Sequence, residues 1–135
     1  MAAVFDRIRD ALAAKIGESS VAHGILVLRI DGPLVFPNVV RVRQDILNFV
    51  RKSGKAELVV LSMRSAPYAD LQAMDMLSTL HDELSRLGTS LKLAEATGDC
   101  RDSIRKAGLN SKFGELSPGM SVQMVIDDWL KGRKE

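Results

Sequence analysis

Hydrophobic positions near the start of the chain fall three and four apart: Val4, Phe5, Ile8, Leu12 and Ile16, with Arg and Asp between them. This spacing predicts an amphipathic helix of about three turns. Gly17-Glu18-Ser19-Ser20 then reads as its C-cap and a short linker. From Gly24 the pattern changes. Ile25 to Ile30 is strand-like, Asp31-Gly32-Pro33 is a turn, and Leu34-Val35-Phe36 predicts a brief second strand. Asn38 offers an N-cap to a helix that carries Val39, Val42, Ile46, Phe49 and Val50 on one face and ends at Ser53-Gly54. Leu58 to Met63 shows little alternation, as expected of a strand covered on both faces.

A longer helix is predicted from Leu71 to about Leu87, with Leu71, Met74, Leu77, Leu80, Leu84 and Leu87 in one stripe and Gly88 closing it. Leu91 to Ala94 reads as another strand. Asp99 to Lys106 reads as a short helix ended by Gly108, and Phe113 to Leu116 as a last extended piece. Ser121 caps a final helix with Val122, Val125, Ile126, Trp129 and Leu130 inward. Repeated strand–helix–strand units imply mainly parallel pairing with right-handed crossovers. The expected fold is therefore an α/β domain over 21–135, preceded at 1–20 by an added helix and linker.

Composition narrows the function more than the fold. The chain has 135 residues, 46% of them hydrophobic, enough for a core without disulfide or metal staples. Aromatics are only 4%, so that core is aliphatic. Lys plus Arg is 19 and Asp plus Glu is 17, which lacks the concentrated basic surplus of a nucleic-acid binder. Arg41, Arg43, Arg51 and Lys52 share one helix, but Asp45 interrupts them. The apolar runs are strand-sized, far short of the ~20 residues of a membrane helix. Asp6, Arg7, Arg9 and Asp10 exclude the apolar stretch of a secretory signal. The single cysteine, Cys100, suits a reducing cytosolic setting, and His23 and His81 have no Cys partners with which to build a zinc site.

In parallel sheets, ligands sit beyond the carboxyl ends of the strands. Two loops fit that position, Ser65 to Asp70 and Ala96 to Asp99. Backbone N–H groups at the helix starts beside them could hold a phosphate, a nucleotide or another anion at Asp70, Leu71, Thr97, Gly98 and Asp99. Residue type favours the plainer reading, in which Asp70 and Asp99 are N-cap carboxylates. No Gly-x-Ser-x-Gly or Walker-type loop is present. Cys100 beside Arg101 has no required histidine, and His81-Asp82-Glu83 point ~100° apart on a helix and cannot converge. Met74, Met76, Met120 and Met124 fit core filling. No catalytic set assembles, so a non-enzyme is expected, with neither metal nor cofactor.

The run Gly24-Ile-Leu-Val-Leu-Arg-Ile-Asp-Gly-Pro-Leu-Val-Phe-Pro-Asn38 resembles the opening of STAS domains at the C-termini of SulP-type anion transporters. Similarity continues through Leu58–Met63, Asp70 at a helix start, Leu80-His81-Asp82-Glu83-Leu84, Leu87-Gly88, Leu93-Ala94-Glu95-Ala96 and Ala107-Gly108-Leu109, covering about Gly24 to Leu130. The resemblance implies a mixed, mainly parallel sheet with helices largely on one side, in a non-catalytic regulatory domain. That domain would sit at the cytoplasmic face of the membrane beside the transport domain of the same or an associated chain. A homodimer or a soluble regulatory protein would be further partners, and a nucleotide or anion a sensed ligand.

The family also includes stand-alone anti-sigma-factor antagonists, which switch partners when a serine following an Asp at a helix start is phosphorylated. Here Asp70 is followed by Leu71, so the hydroxyl is missing and phosphorylation at that position is excluded. A stand-alone interaction module that has lost its serine is the alternative reading.

Overall fold

The computed structural model describes residues 3–6, 24–54, 56–114 and 116–133. Strands β1 (Ala3–Asp6), β2 (Ile25–Asp31), β3 (Leu58–Ser62) and β4 (Ser90–Ala94) form one sheet in that spatial order. The helices are α1 (Val39–Lys52), α2 (Leu71–Arg86), α3 (Gly98–Lys106), the short α4 (Asn110–Phe113) and α5 (Val122–Arg133). β2, β3 and β4 run parallel, with Val27 opposite Val60 and Val60 opposite Lys92.

The apolar run of β3 is buried at every position because both sheet faces are covered. Successive strand residues point to opposite faces. Val59 and Leu61 therefore join Leu26, Leu28, Leu91 and Leu93 in the large core under α1 to α4. Leu58 and Val60 join Ile25 and Val27 against Val122, Val125 and Ile126 of α5. Among the described residues, four helices thus pack on one face and α5 on the other.

Several expectations from the pattern change in the fold. Val4, Phe5 and Asp6, expected to open a helix, lie in β1, antiparallel to β2 with Val4 opposite Ile30. The edge of β2 away from β3 carries backbone groups that need partners, and β-branched Val4 and aromatic Phe5 are good strand formers. The remainder of the expected helix and linker lies outside the described residues.

The brief strand expected at Leu34–Phe36 contracts to a single parallel bridge, Leu34 to Ala69, followed by a 3-10 turn at Phe36–Asn38. Pro37 has no N–H to give a ladder. Asn38 stands at the N-cap of α1, but its side chain bonds the preceding turn instead. It accepts from the Val35 N–H at 3.1 Å and donates to the Pro33 carbonyl at 3.1 Å.

The extended piece expected at Phe113–Leu116 forms no strand at its described residues. Phe113 ends α4, with its N–H bonded to the Leu109 carbonyl at 2.9 Å. The α4 turn is held to α2 by Lys112, which donates to Asp82 at 2.8 Å and Ser78 at 2.7 Å. Of the residues expected to fill the core, Leu71, Leu87 and Met124 are exposed, each near a helix end where the apolar stripe turns off the sheet.

Candidate functional site

Three connections meet beyond the carboxyl ends of β2, β3 and β4, and backbone bonds lace them together. The Gly32 N–H donates to the Ser65 carbonyl at 2.8 Å, and the Leu34 N–H to the Tyr68 carbonyl at 2.8 Å. The Asp70 N–H returns to the Leu34 carbonyl at 3.1 Å. Across the next gap, the Thr97 hydroxyl donates to the Pro67 carbonyl at 3.4 Å and the Cys100 thiol to the Ala66 carbonyl at 3.3 Å. The two loops singled out in the sequence are therefore neighbours.

Within this arrangement the polar residues act as caps. Asp70 Oδ1 accepts from the Ala73 N–H at 2.9 Å at the start of α2. Thr97 Oγ1 accepts from the Cys100 N–H at 3.3 Å at the start of α3. Each cap occupies one of the free helix-start donors that would face an anion. Thr97 takes the capping position that the sequence suggested for Asp99, which is exposed in the first turn of α3 beside exposed Gly98. Cys100 is fully buried.

Several large apolar side chains are exposed at this end. Leu71, the first residue of α2, is 68% exposed, and Tyr68 two residues before its cap is 52% exposed. Val40 in the first turn of α1 is 65% exposed, and Pro37 and Pro67 are also exposed. Large side chains placed together in water mark a contact surface more often than a catalytic one.

A polar latch, which the sequence reading passed over, lies just beneath. Glu95 is the non-glycine residue with a left-handed backbone, at φ 58°. Its carboxylate accepts from the fully buried Ser62 hydroxyl at 2.8 Å and pairs with Arg64 at 3.5 Å. The Glu95 N–H donates to the Met120 carbonyl at 2.8 Å, joining the end of β4 to the approach to α5. The available signal was Ser62 itself, a hydroxyl inside an apolar strand that requires a partner.

His81, Asp82 and Glu83 do not converge on one site, although His81 Nδ1 and Asp82 Oδ1 meet at 3.3 Å and Glu83 turns away. His81 packs edge-on to Phe113 with centroids 5.2 Å apart, while Asp82 meets Lys112 and Glu83 takes a two-pronged bond from Arg43. The hydrogen bond from Lys112, then that from His81, holds the Asp82 carboxyl below its ordinary pKa. Among the described residues no group of three His, Cys, Asp or Glu could hold a metal ion. No described helix is long and apolar enough to cross a membrane.

Comparison with known proteins places this geometry. A STAS-domain family model matches residues 18–123. A probable sulfate transporter of Mycobacterium tuberculosis is 39% identical over 104 residues, 76% of this chain. The match spans only 19% of that relative's length. A sulfate transporter family protein from Wolinella succinogenes superposes with a TM-score of 0.68 at 18% identity, over 83% of this chain and 89% of that one. An anti-sigma factor antagonist from Mycobacterium paratuberculosis gives a TM-score of 0.68 at 16% identity, over 100% of this chain and 96% of that one. Three parallel strands, the Asp70-capped helix and the match over 18–123 lead to one conclusion: the chain belongs to the STAS domain family.

Proposed function

We propose that this chain works as the regulatory interaction domain of a SulP-type transporter of sulfate or another small anion, at the cytoplasmic face of the membrane. The observation that carries this reading is the 39% identity to a probable sulfate transporter. The local geometry supports the manner of action. Leu71 and Tyr68 present apolar surface beside the Asp70 cap, and such surface gains by being covered by a partner. Contact here is constitutive rather than switched, because Leu71 has no hydroxyl to phosphorylate. The partner in this reading is the transport domain, and the work is mechanical, with no bond made or broken.

Nucleotide or anion sensing at Asp70, Leu71, Thr97, Gly98 and Asp99 is the narrower form of the proposal. The junction of the two helix starts supports it, whereas the caps on the Ala73 and Cys100 N–H groups weigh against it. Titration with nucleoside triphosphate, followed by amide shifts at Asp70 and Gly98, decides it. Saturable shifts there support sensing, and unmoved signals remove it.

A second reading is a stand-alone interaction module. The superposition of an anti-sigma factor antagonist over 100% of this chain and 96% of its own supports it. Fractionating the source cells and probing with an antibody to this domain separates the two. A membrane-confined polypeptide several times the size of this chain is expected from the first reading. A soluble polypeptide of this chain's size overturns the first and favours the second.

A further inference from the structure

A cavity of about 420 Å3 opens along the β4 edge, between the α4 segment and α5. β4 contributes two neighbouring residues that point to opposite sheet faces. Lys92 lies on the α5 face, in register with Val60, and Leu93 lies in the core under α1 to α4. Phe113 and Leu116 line one side, Val125 and Trp129 the other. Met120, whose carbonyl holds the Glu95 N–H, completes the apolar lining. A mainly apolar hollow of this volume with few polar groups has the make-up of a small-molecule site.

One charged group selects the occupant. Lys92 is half-buried, and no described carboxylate lies within ion-pair distance of it. Asp128, the acidic residue on the rim, is exposed and its charge is screened by water. A cation against an apolar wall acts more strongly than one wholly surrounded by water, because less water lies in its field.

We propose that this cavity binds a small apolar monoanion, an aryl-alkyl carboxylate whose body lies between Phe113 and Trp129 and whose carboxylate meets the Lys92 ammonium. The site is distinct from the surface around Leu71 and does not rest on the transporter reading.

Trp129 is the chain's single tryptophan, so its emission reports directly on the cavity. The chain is titrated with phenylpropanoate and, separately, with phenylpropanol, and saturation transfer to the phenyl protons is recorded alongside. Saturable binding is expected, with the carboxylate roughly tenfold tighter through its charge-assisted bond. Lys92→Gln should erase that preference and leave the alcohol's affinity unchanged. Gly132 lines the cavity, and a Cβ there meets nothing within 4 Å. Gly132→Phe should therefore block both ligands with an unchanged or raised melting temperature. Absence of a saturable response in the wild-type chain overturns the site. Equal affinity for the two ligands, or a full preference retained in Lys92→Gln, overturns the anion assignment. Wild-type binding by Gly132→Phe overturns the location.

Discussion

The loop end of the sheet and its β4 edge are finished in opposite ways. At the loop end, backbone and side-chain donors find partners in adjoining loops: Asp70 and Thr97 cap helices, and Leu34, Tyr68 and Ala66 carry the links between connections. Facing water there are the apolar side chains of Tyr68, Leu71 and Val40, with the charged Arg64 and Asp99 also exposed. At the β4 edge, α4 and α5 cover opposite faces, and a hollow lined by Phe113 and Trp129 opens beside them. An end with exposed apolar side chains suits another protein, as proposed above, whereas a cavity beside Lys92 suits a small molecule.

The contrast breaks most sharply at Leu71. Under the proposed function, Leu71→Asp should weaken docking to a transport domain by about 2 kcal/mol, close to thirtyfold, as loss of a central apolar anchor does. Stability should hold or rise slightly, because a carboxylate in the first turn of α2 favours the helix dipole. Co-purification with the transport domain and urea unfolding measure the two effects separately. Undiminished docking would remove this end as the contact surface.

Glu95 comes next, since it belongs to both regions through Ser62 and Met120. Glu95→Ala strips the buried Ser62 hydroxyl of its acceptor and should cost about 1.5 kcal/mol in urea unfolding. Removing the carboxylate leaves the left-handed backbone in place, so no relief of strain offsets the loss. A change below the error of the measurement would mean that the latch carries no stability.

Smaller again is the cap. Asp70→Ala should destabilise by about 1 kcal/mol, read by thermal unfolding, while the cavity's response to phenylpropanoate stays as in the wild type. A cap variant that altered ligand binding would mean that the two regions are coupled.

The smallest effect concerns pH. Asp82 is held below its ordinary pKa by Lys112 and His81, so its contribution is fully present above the unfolded-state value. That contribution is lost as pH falls through the lower folded value. The bond that docks α4 on α2 should therefore loosen only in acid below the ordinary Asp range, and Asp82→Asn should flatten that part of the stability profile. An unchanged profile in Asp82→Asn would assign the acid response elsewhere.

Much of this was legible in the residues. The unbroken apolar run from Leu58 required cover on both faces. Asp70, Ser121 and Gly88 marked helix boundaries through chemistry acting within four or five residues. The leucine after Asp70, where the resemblance implies a serine, is likewise a property of the chain. Those features are local, because caps, turns and periodicity depend on neighbours already fixed by covalent sequence.

Tertiary structure decided the rest, because the partners come from distant parts of the chain. Val4 to Asp6 carry a helical spacing but pair as a strand, since β2 offers an edge that needs hydrogen bonds. Phe113 ends a helical turn rather than entering a strand, because Lys112 is drawn to Asp82 on another helix. Glu95 waits on Ser62, more than thirty residues away. The hollow beside Lys92 is lined by residues that α4 and α5 bring from opposite faces of the sheet. Sequence determines which elements form, but pairing and voids depend on where those elements meet.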